Sequence, residues 1–267
     1  MKYLFESWDK FRSELDNKNL ILFLDYDGTL APITDLPDLA VMTKNMHDAL
    51  IELSNHPKCH VVVISGRMLN ELKRMVNIEH LTCVGSHGFE IEEGNLNVEN
   101  LISDQYREDL AIIKSRLEET VSVIAGVWVE DKKNILGVHY RLADEKKSFL
   151  VKRAFLKVCG SYRSERRINI VGGKKVFEVR PPIQWGKGEA AVRLLSEWQK
   201  HIGKSLVAAV YIGDDATDEE AFKAFGKFGT TIKVGESTHS FAQYFFKDQT
   251  EVLTFLKKVI SIESHYI

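Results

Sequence analysis

Five consecutive apolar residues, Leu20-Ile-Leu-Phe-Leu24, run straight into Asp25-Tyr-Asp27-Gly28-Thr29, and this junction restricts the fold more than any other stretch of the chain. An unbroken apolar run of strand length fits a strand covered on both faces, as in a parallel sheet layered with helices. Its carboxyl end is then where open α/β sheets bind ligands, and two carboxylates emerge there one residue apart. Gly28 lets the backbone leave the strand in a conformation that a Cβ would penalise, which is expected to keep the space over Asp25 clear. Two carboxylates so close repel, so a cation neutralises them or one holds a proton. Either outcome suits phosphoryl transfer, in which one Asp attacks phosphorus and the other handles the proton. A capped turn accounts for the same residues, since Asp and Gly both favour turns.

Three further segments bear on that choice. Cys59-His-Val-Val-Val-Ile64 reads as a second buried strand ending in Ser65-Gly66-Arg67. Ser65 could donate to a phosphate oxygen or cap the helix predicted from Met68, and the roles are compatible because helix N-termini bind anions. Lys187 falls in the first turn of the amphipathic stretch that follows Trp185-Gly186. The helix dipole disfavours a cation there, so an anionic partner is one reading and a solvated surface lysine the other. The segment is not a P-loop, for it lacks the glycine spacing and the Ser/Thr. Leu206 to Ile212 is a further apolar run, and it ends in Gly213-Asp214-Asp215-Ala-Thr217-Asp218-Glu219. Carboxylates in the first turn of a helix complement its dipole, but that does not explain Asp214. Three Asp within five residues call for a lysine or a hard cation such as Mg²⁺.

The remaining sequence sets bounds. With 267 residues the chain can build one large or two modest domains. Lys+Arg 36 against Asp+Glu 38 leaves a formal net charge of -2, which recommends neither nucleic acid nor a disordered acidic tail. A small-molecule partner and a monomer are expected. Residues 1–20 are charged throughout and the apolar runs are strand-length, so a cytoplasmic chain without membrane contact is expected. Cys59, Cys83 and Cys159 lack metal spacing and read as reduced thiols.

The predicted layout is α/β: a doubly wound parallel sheet formed by residues 1–91 and 181–267, split by an inserted α+β module over 92–180. A crossover helix is predicted over 41–53 and a third parallel strand over 81–85. Inside the insertion, 105–121 and 145–158 read as helices, and 124–130, 135–141, 168–171 and 175–180 alternate like antiparallel strands. Gly172-Gly173 is expected to form a hairpin turn, and Pro181-Pro182 a rigid crossover. About forty residues between Asp25 and Ser65 leave no room for a second foldable module, so an insertion must follow Ser65. Such a module can act as a lid that carries specificity. On its strands Glu130 and Lys132, His139 and Arg141, and Glu178 and Arg180 each stand two apart, hence on one face. Such a face can bind hydroxyls or simply be solvated.

Taken in order, Asp25-x-Asp27, Ser65, Lys187 and Gly213-Asp214-Asp215-x-x-Asp218 resemble the four motifs of the haloacid dehalogenase superfamily. The resemblance implies a Rossmann-like core with a C2-type cap, Asp25 as nucleophile and Asp27 as general acid/base. It further implies that Ser65 and Lys187 hold the phosphoryl group, with Arg67 counted among the catalytic residues. Mg²⁺ would be bound by Asp25, Asp27 (through its backbone carbonyl) and Asp214, with Asp215 and Asp218 behind them. More narrowly, Asp25-Tyr-Asp27-Gly-Thr-Leu-Ala-Pro-Ile, Ser65-Gly-Arg67, Gly85-Ser-His87-Gly-Phe-Glu90, Val129-Glu130-Asp-Lys132, His139-Tyr-Arg141, Phe177-Glu178-Val-Arg180-Pro and Gly213-Asp-Asp-Ala-Thr-Asp218 are similar to the trehalose-6-phosphate phosphatase family. That likeness implies a sugar-phosphate substrate, with Glu130, Lys132, Arg141 and Glu178 on the distal glucose and His87 and Glu90, also counted as substrate-binding, near the junction of core and cap. A sister phosphatase or mutase acting on sucrose phosphate, mannosyl-3-phosphoglycerate or a hexose phosphate is the alternative. A phospho-acceptor receiver or an inactive sensor is the alternative from another class.

Overall fold

The computed structural model describes residues 1–34, 39–91, 98–173 and 175–263. It comprises two compact units, Met1–Leu96 with Trp185–Ile267, and Asn97–Gln184.

The first unit runs β1 (Lys2–Tyr3), α1 (Trp8–Leu15), β2 (Asn19–Asp25), α2 (Lys44–Ser54), β3 (Cys59–Ile64), α3 (Leu69–Val76), β4 (Thr82–Gly85) and β5 (Glu90–Ile91). The second unit contributes α4 (Asp104–Val121), β6 (Trp128–Asp131), β7 (Leu136–His139), α5 (Ser148–Ser164), β8 (Asn169–Gly173) and β9 (Val176–Arg180). The chain then completes the first unit with α6 (Lys187–Ile202), β10 (Val207–Gly213), α7 (Ala216–Phe225), β11 (Thr230–Val234), β12 (Tyr244–Phe246) and α8 (Thr250–Glu263).

In the first unit the sheet order is β1-β12-β11-β10-β2-β3-β4-β5. All neighbours are parallel except β4 and β5, so an antiparallel edge strand joins the expected parallel sheet. β2 lies at its centre, and the two-residue period of a strand divides its side chains between two helical layers. Leu20, Leu22 and Leu24 pack with α2 and α8 through Leu50, Leu53, Phe255 and Leu256. Ile21 and Phe23 pack with α6 and α7 through Ala191, Leu194, Phe222 and Phe225. Each fully buried Leu or Phe contributes roughly 1.5–3 kcal/mol, which makes a one-residue slip of β2 very costly. Asp25 shares the odd parity of Ile21 and Phe23, so the same register that seats Phe23 turns Asp25 toward the α6 and α7 side.

The second unit is a four-stranded antiparallel sheet of order β6-β7-β9-β8 with two helices. Leu136, Val138 and Val179 are buried on one face, where Phe177 stacks on Phe155 of α5 at 5.2 Å and Asp131 pairs with Lys114 of α4 at 2.8 Å. Arg167 clamps the buried Asp109 of α4, with its Nε at 2.8 Å. Gly172 and Gly173 are not the hairpin turn. Both are ladder residues of β8, opposite Phe177 and Val176. No helix among the described residues is long and apolar enough to cross a membrane.

Candidate active site

Lys187 opens α6 and is buried, and its ammonium donates to Asp25 Oδ1 at 2.6 Å and to Asp218 Oδ1 at 2.9 Å. The anionic partner that its helix position calls for is thus already present within the protein. Asp218 is completely buried and serves several donors at once. Oδ1 also accepts from Tyr211 Oη at 2.9 Å, and Oδ2 from the backbone N–H groups of Asp214 and Asp215 at 3.0 and 3.2 Å. Gly213 makes room for it, since a Cβ there would stand 2.2 Å from the Asp218 carboxyl carbon. Asp215 is the N-cap of α7, accepting from the Thr217 and Asp218 backbone N–H groups in a capping box. That bond set is worth about 1 kcal/mol to the helix. Asp218 is therefore the support that orients Lys187, and Asp215 the residue that starts the helix carrying Asp218.

Gly28 has φ +89°, and a Cβ on it would fall 2.3 Å from Asp214 Oδ2. The space that the glycine clears is taken by a carboxylate, not left open above Asp25. Carboxylate oxygens of Asp25, Asp214 and Asp218 can all be chosen within 4.8 Å of one another. Asp25 Oδ2 and Asp214 Oδ1 are buried and, among the described residues, have no hydrogen-bond partner. Asp218, by contrast, has both oxygens engaged by protein donors. Two hard, unpartnered carboxylate oxygens fit Mg²⁺, which is held by one or two carboxylates and keeps waters or phosphate oxygens besides. Asp25 and Asp214 are thus the residues suited to a metal, with Asp218 bracing the lysine.

The titration of these groups follows from crowding and burial. Burial pushes Asp25 well above the usual carboxylate range, against the opposing pull of Lys187. Burial, then the neighbouring Asp218 and Asp215, push Asp214 up to about 7. Burial opposes charge on Lys187, but Asp218 and Asp25 outweigh it and hold the ammonium well above an ordinary lysine. Burial likewise opposes Asp215, yet Lys187 and the Thr217 hydrogen bond keep its carboxyl below the usual range.

A second cluster gathers around Arg67, whose guanidinium takes both oxygens of Asp27 at 2.7 and 2.8 Å. Its other terminal nitrogen donates to Glu71, and it sits 5.6 Å from the centre of the Tyr26 ring. Ser65 is buried just past β3, and its Oγ accepts from the Arg67 backbone N–H at 3.1 Å. It does not cap α3. The first N–H of that helix, on Leu69, is taken instead by Glu90 Oε2 at 3.0 Å, and the same oxygen accepts from Ser86 Oγ at 2.6 Å. Glu90 therefore has a definite structural task, tying β5 to the start of α3. His87 stands at φ +55° with its ring against Gly66, where a Cβ would come within 2.6 Å, and its N–H donates to Ser65 O at 2.9 Å.

In the second unit Glu130, Lys132 and Glu178 are brought together. Lys132 Nζ lies 3.5 Å from both Glu130 Oε2 and Glu178 Oε1, and Arg180 Nε donates to Glu178 Oε2 at 2.9 Å. Lys132 reaches this cluster from the turn after β6, not from the strand itself, its N–H bonding Ile135 O at 2.9 Å. Arg141 lies two residues past the end of β7, so it does not continue the strand face of His139. Burial works against the Glu130 carboxylate, but His139 and Lys132 hold its pKa below the ordinary value.

Two participants escape the sequence motifs. Tyr211, at odd parity in the β10 run, braces Asp218. Lys233 of β11 donates to the Asp214 backbone carbonyl at 2.6 Å and pairs with Glu219 at 3.3 Å. A lysine between Ile232 and Val234 on β11, in register with Gly213, is the available signal for the second.

Comparison with known proteins identifies the family. Residues 23–250 match the family described as trehalose-phosphatase. Trehalose-phosphate phosphatase B of Arabidopsis thaliana is 34% identical over 269 residues, covering 95% of this chain and 69% of the relative. Among solved structures, the C-terminal domain of C. albicans trehalose-6-phosphate phosphatase superposes with a TM-score of 0.77 at 24% identity, over 95% of this chain and 96% of that one. A haloacid dehalogenase-like hydrolase from Bacteroides thetaiotaomicron shares the fold at a TM-score of 0.62 and 16% identity, over 91% and 99% of the two chains.

Proposed function

This chain belongs to the trehalose-phosphatase family, and we propose that it hydrolyses trehalose 6-phosphate to trehalose and phosphate through a phosphorylated Asp25. The observation that carries the reading is the buried Asp25–Lys187–Asp218 chain beside Asp214, which leaves two carboxylate oxygens without protein donors. Asp25 and Asp214, with the Asp27 backbone carbonyl, would hold Mg²⁺. When bound, the ion offsets negative charge on the phosphoryl oxygens and on the carboxylates around them.

Lys187 fixes Asp25 through one oxygen, so the carboxylate meets its target in one orientation. Asp25 attacks phosphorus in line, the bond from phosphorus to the sugar oxygen breaks, and Asp27, which enters this step protonated, delivers its proton to that oxygen. Asp27 then takes a proton from water as the water attacks the aspartyl-phosphate, which releases phosphate and restores Asp25. To act this way Asp27 must exchange an Arg67 bond for one to the leaving oxygen. Ser65 and Lys187 donate to the equatorial phosphoryl oxygens, where preorganised charge contributes most.

The second unit is read as the inserted C2-type cap, in which Glu130, Lys132, Arg141 and Glu178 recognise the sugar, while His87 and Glu90 order the core loops nearby. We further take the chain to act as a cytoplasmic monomer, with a small sugar phosphate as its partner and no role for nucleic acid or membrane.

A phosphate-release assay over a panel of sugar phosphates, with Mg²⁺ and with chelator, tests the proposal. Preferential, Mg²⁺-dependent turnover of trehalose 6-phosphate is expected. Equal or better turnover of sucrose phosphate, mannosyl-3-phosphoglycerate or a hexose phosphate would replace the substrate assignment.

A further inference from the structure

Trp128 is 41% exposed, a large apolar ring on a strand end where a polar residue would be cheaper to solvate. One of its faces is covered: the His139 imidazole stacks on it with centroids 4.9 Å apart and planes 9° from parallel. His139 is itself fixed, its Nε2 lying 2.6 Å from Glu130 Oε2. The ring is thus held as a rigid plate by a partner that is bonded to the polar cluster beside it.

The register puts all of this on one face of the second unit's sheet. Trp128 stands opposite His139, Glu130 opposite Gly137, and Gly137 opposite Glu178. Gly137 supplies no side chain between the two carboxylates, and a Cβ there would come 2.9 Å from His139 Nε2 and 3.6 Å from Glu130 Oε2. The outcome is a strand face with carboxylates on either side of Gly137 and a flat aromatic ring at its end. Its ion pairs join two carboxylates (Glu130, Glu178) to one ammonium and one guanidinium (Lys132, Arg180). A balanced network of acceptors and donors suits an uncharged ring bearing hydroxyls, since each hydroxyl both gives and accepts, whereas a second anion would need surplus positive charge. The axial C–H groups of a pyranose form an apolar patch that matches an aromatic face.

We propose that Trp128, backed by His139, is a stacking platform for the phosphate-free pyranose ring of the substrate and so a specificity-determining residue. This rests on the reading of the chain as a disaccharide-phosphate phosphatase and assigns that reading's sugar a further contact. His139 acts through Trp128 and Glu130 as a positioning residue. The platform discriminates by area: a substrate ending at the phosphorylated ring, or an aryl phosphate, gains nothing from it.

The test compares kcat/KM for trehalose 6-phosphate with kcat/KM for p-nitrophenyl phosphate in wild type, Trp128→Ala, Trp128→Phe and His139→Gln. In Trp128→Ala the ratio of the two should fall about tenfold, through KM for the disaccharide, and Trp128→Phe should restore most of it. His139→Gln should fall between them. Titration with trehalose alone should perturb tryptophan fluorescence in wild type, and Trp128→Phe should remove that change. An unaltered ratio in Trp128→Ala, with wild type active on both substrates, overturns the platform. Failure of wild type on trehalose 6-phosphate while it cleaves the aryl ester overturns the substrate reading instead.

Discussion

Arg67 donates to both carboxylate oxygens of Asp27, from Nε at 2.8 Å and from Nη2 at 2.7 Å. Planar two-point pairing of this kind fixes direction as well as distance. The Arg67 backbone N–H also holds Ser65 Oγ, so one residue links the group assigned to proton transfer with a hydroxyl assigned to the phosphoryl group. If the pair sets the aim of Asp27, Arg67→Gln should reduce kcat on trehalose 6-phosphate by roughly 10²-fold. The loss on an aryl phosphate should be much smaller, because a good leaving group needs little proton assistance. Arg67→Lys should give a partial loss only. Equal losses on both substrates would show that Arg67 merely supports the loop.

Asp25→Asn should lower phosphate release by about 10⁴-fold or more while the protein still folds, since an amide can neither attack phosphorus nor be regenerated. Lys187→Ala should behave differently. It strands Asp25 and Asp218 without their shared cation, and loss of one partner from a buried pair costs about 3–5 kcal/mol. Thermal unfolding of the two variants, run beside the activity assay, separates the effects.

Gly28→Ala places a methyl 2.3 Å from Asp214 Oδ2 at φ +89°, so it suffers both contact and backbone strain. A destabilisation above about 1 kcal/mol is expected from the backbone alone. Because Asp214 must move aside, the Mg²⁺ concentration for half-maximal activity should also rise. Retention of wild-type Mg²⁺ dependence would argue against Asp214 as a metal-binding residue.

Asp214 also gives a pH signature. Its pKa is raised in the folded protein to about 7, against an ordinary value of 3.8, mainly by burial. The stability linked to it is therefore fully present below pH 3.8 and is lost as pH rises through 7. Without divalent cations, wild type should lose stability relative to Asp214→Asn between about pH 4 and 7. Mg²⁺ should stabilise wild type more at pH 7.5 than at pH 5, because it binds the ionised carboxylate. Urea titrations of both proteins at several pH values, with and without Mg²⁺, measure this directly. Parallel pH profiles for the two would refute the assignment.

Much of this protein is legible from local pattern alone. Leu20–Leu24, Val61–Ile64 and Val207–Ile212 announce buried strands because only a sheet covered on both faces can hide such runs, and the polar residues just beyond them mark the ligand edge. Asp25, Ser65, Lys187 and Asp214 stand at such places, each at a strand end or a helix start. Which of these side chains meet is another matter. Parity on β2 turns Asp25 toward α6, and parity on β10 sends Tyr211 to Asp218, but parity names a side of the sheet and not a partner. Only the packed structure decides that Lys187 bridges Asp25 to Asp218, that Asp214 fills the gap over Gly28, that Arg67 takes Asp27 and that Glu90 caps α3. These contacts join residues far apart in the chain, 162 positions for Asp25 and Lys187, and each depends on how far one layer lies from the next. Periodicity reports the direction in which a side chain leaves the backbone. The distance to its neighbour exists only after the layers have closed on one another.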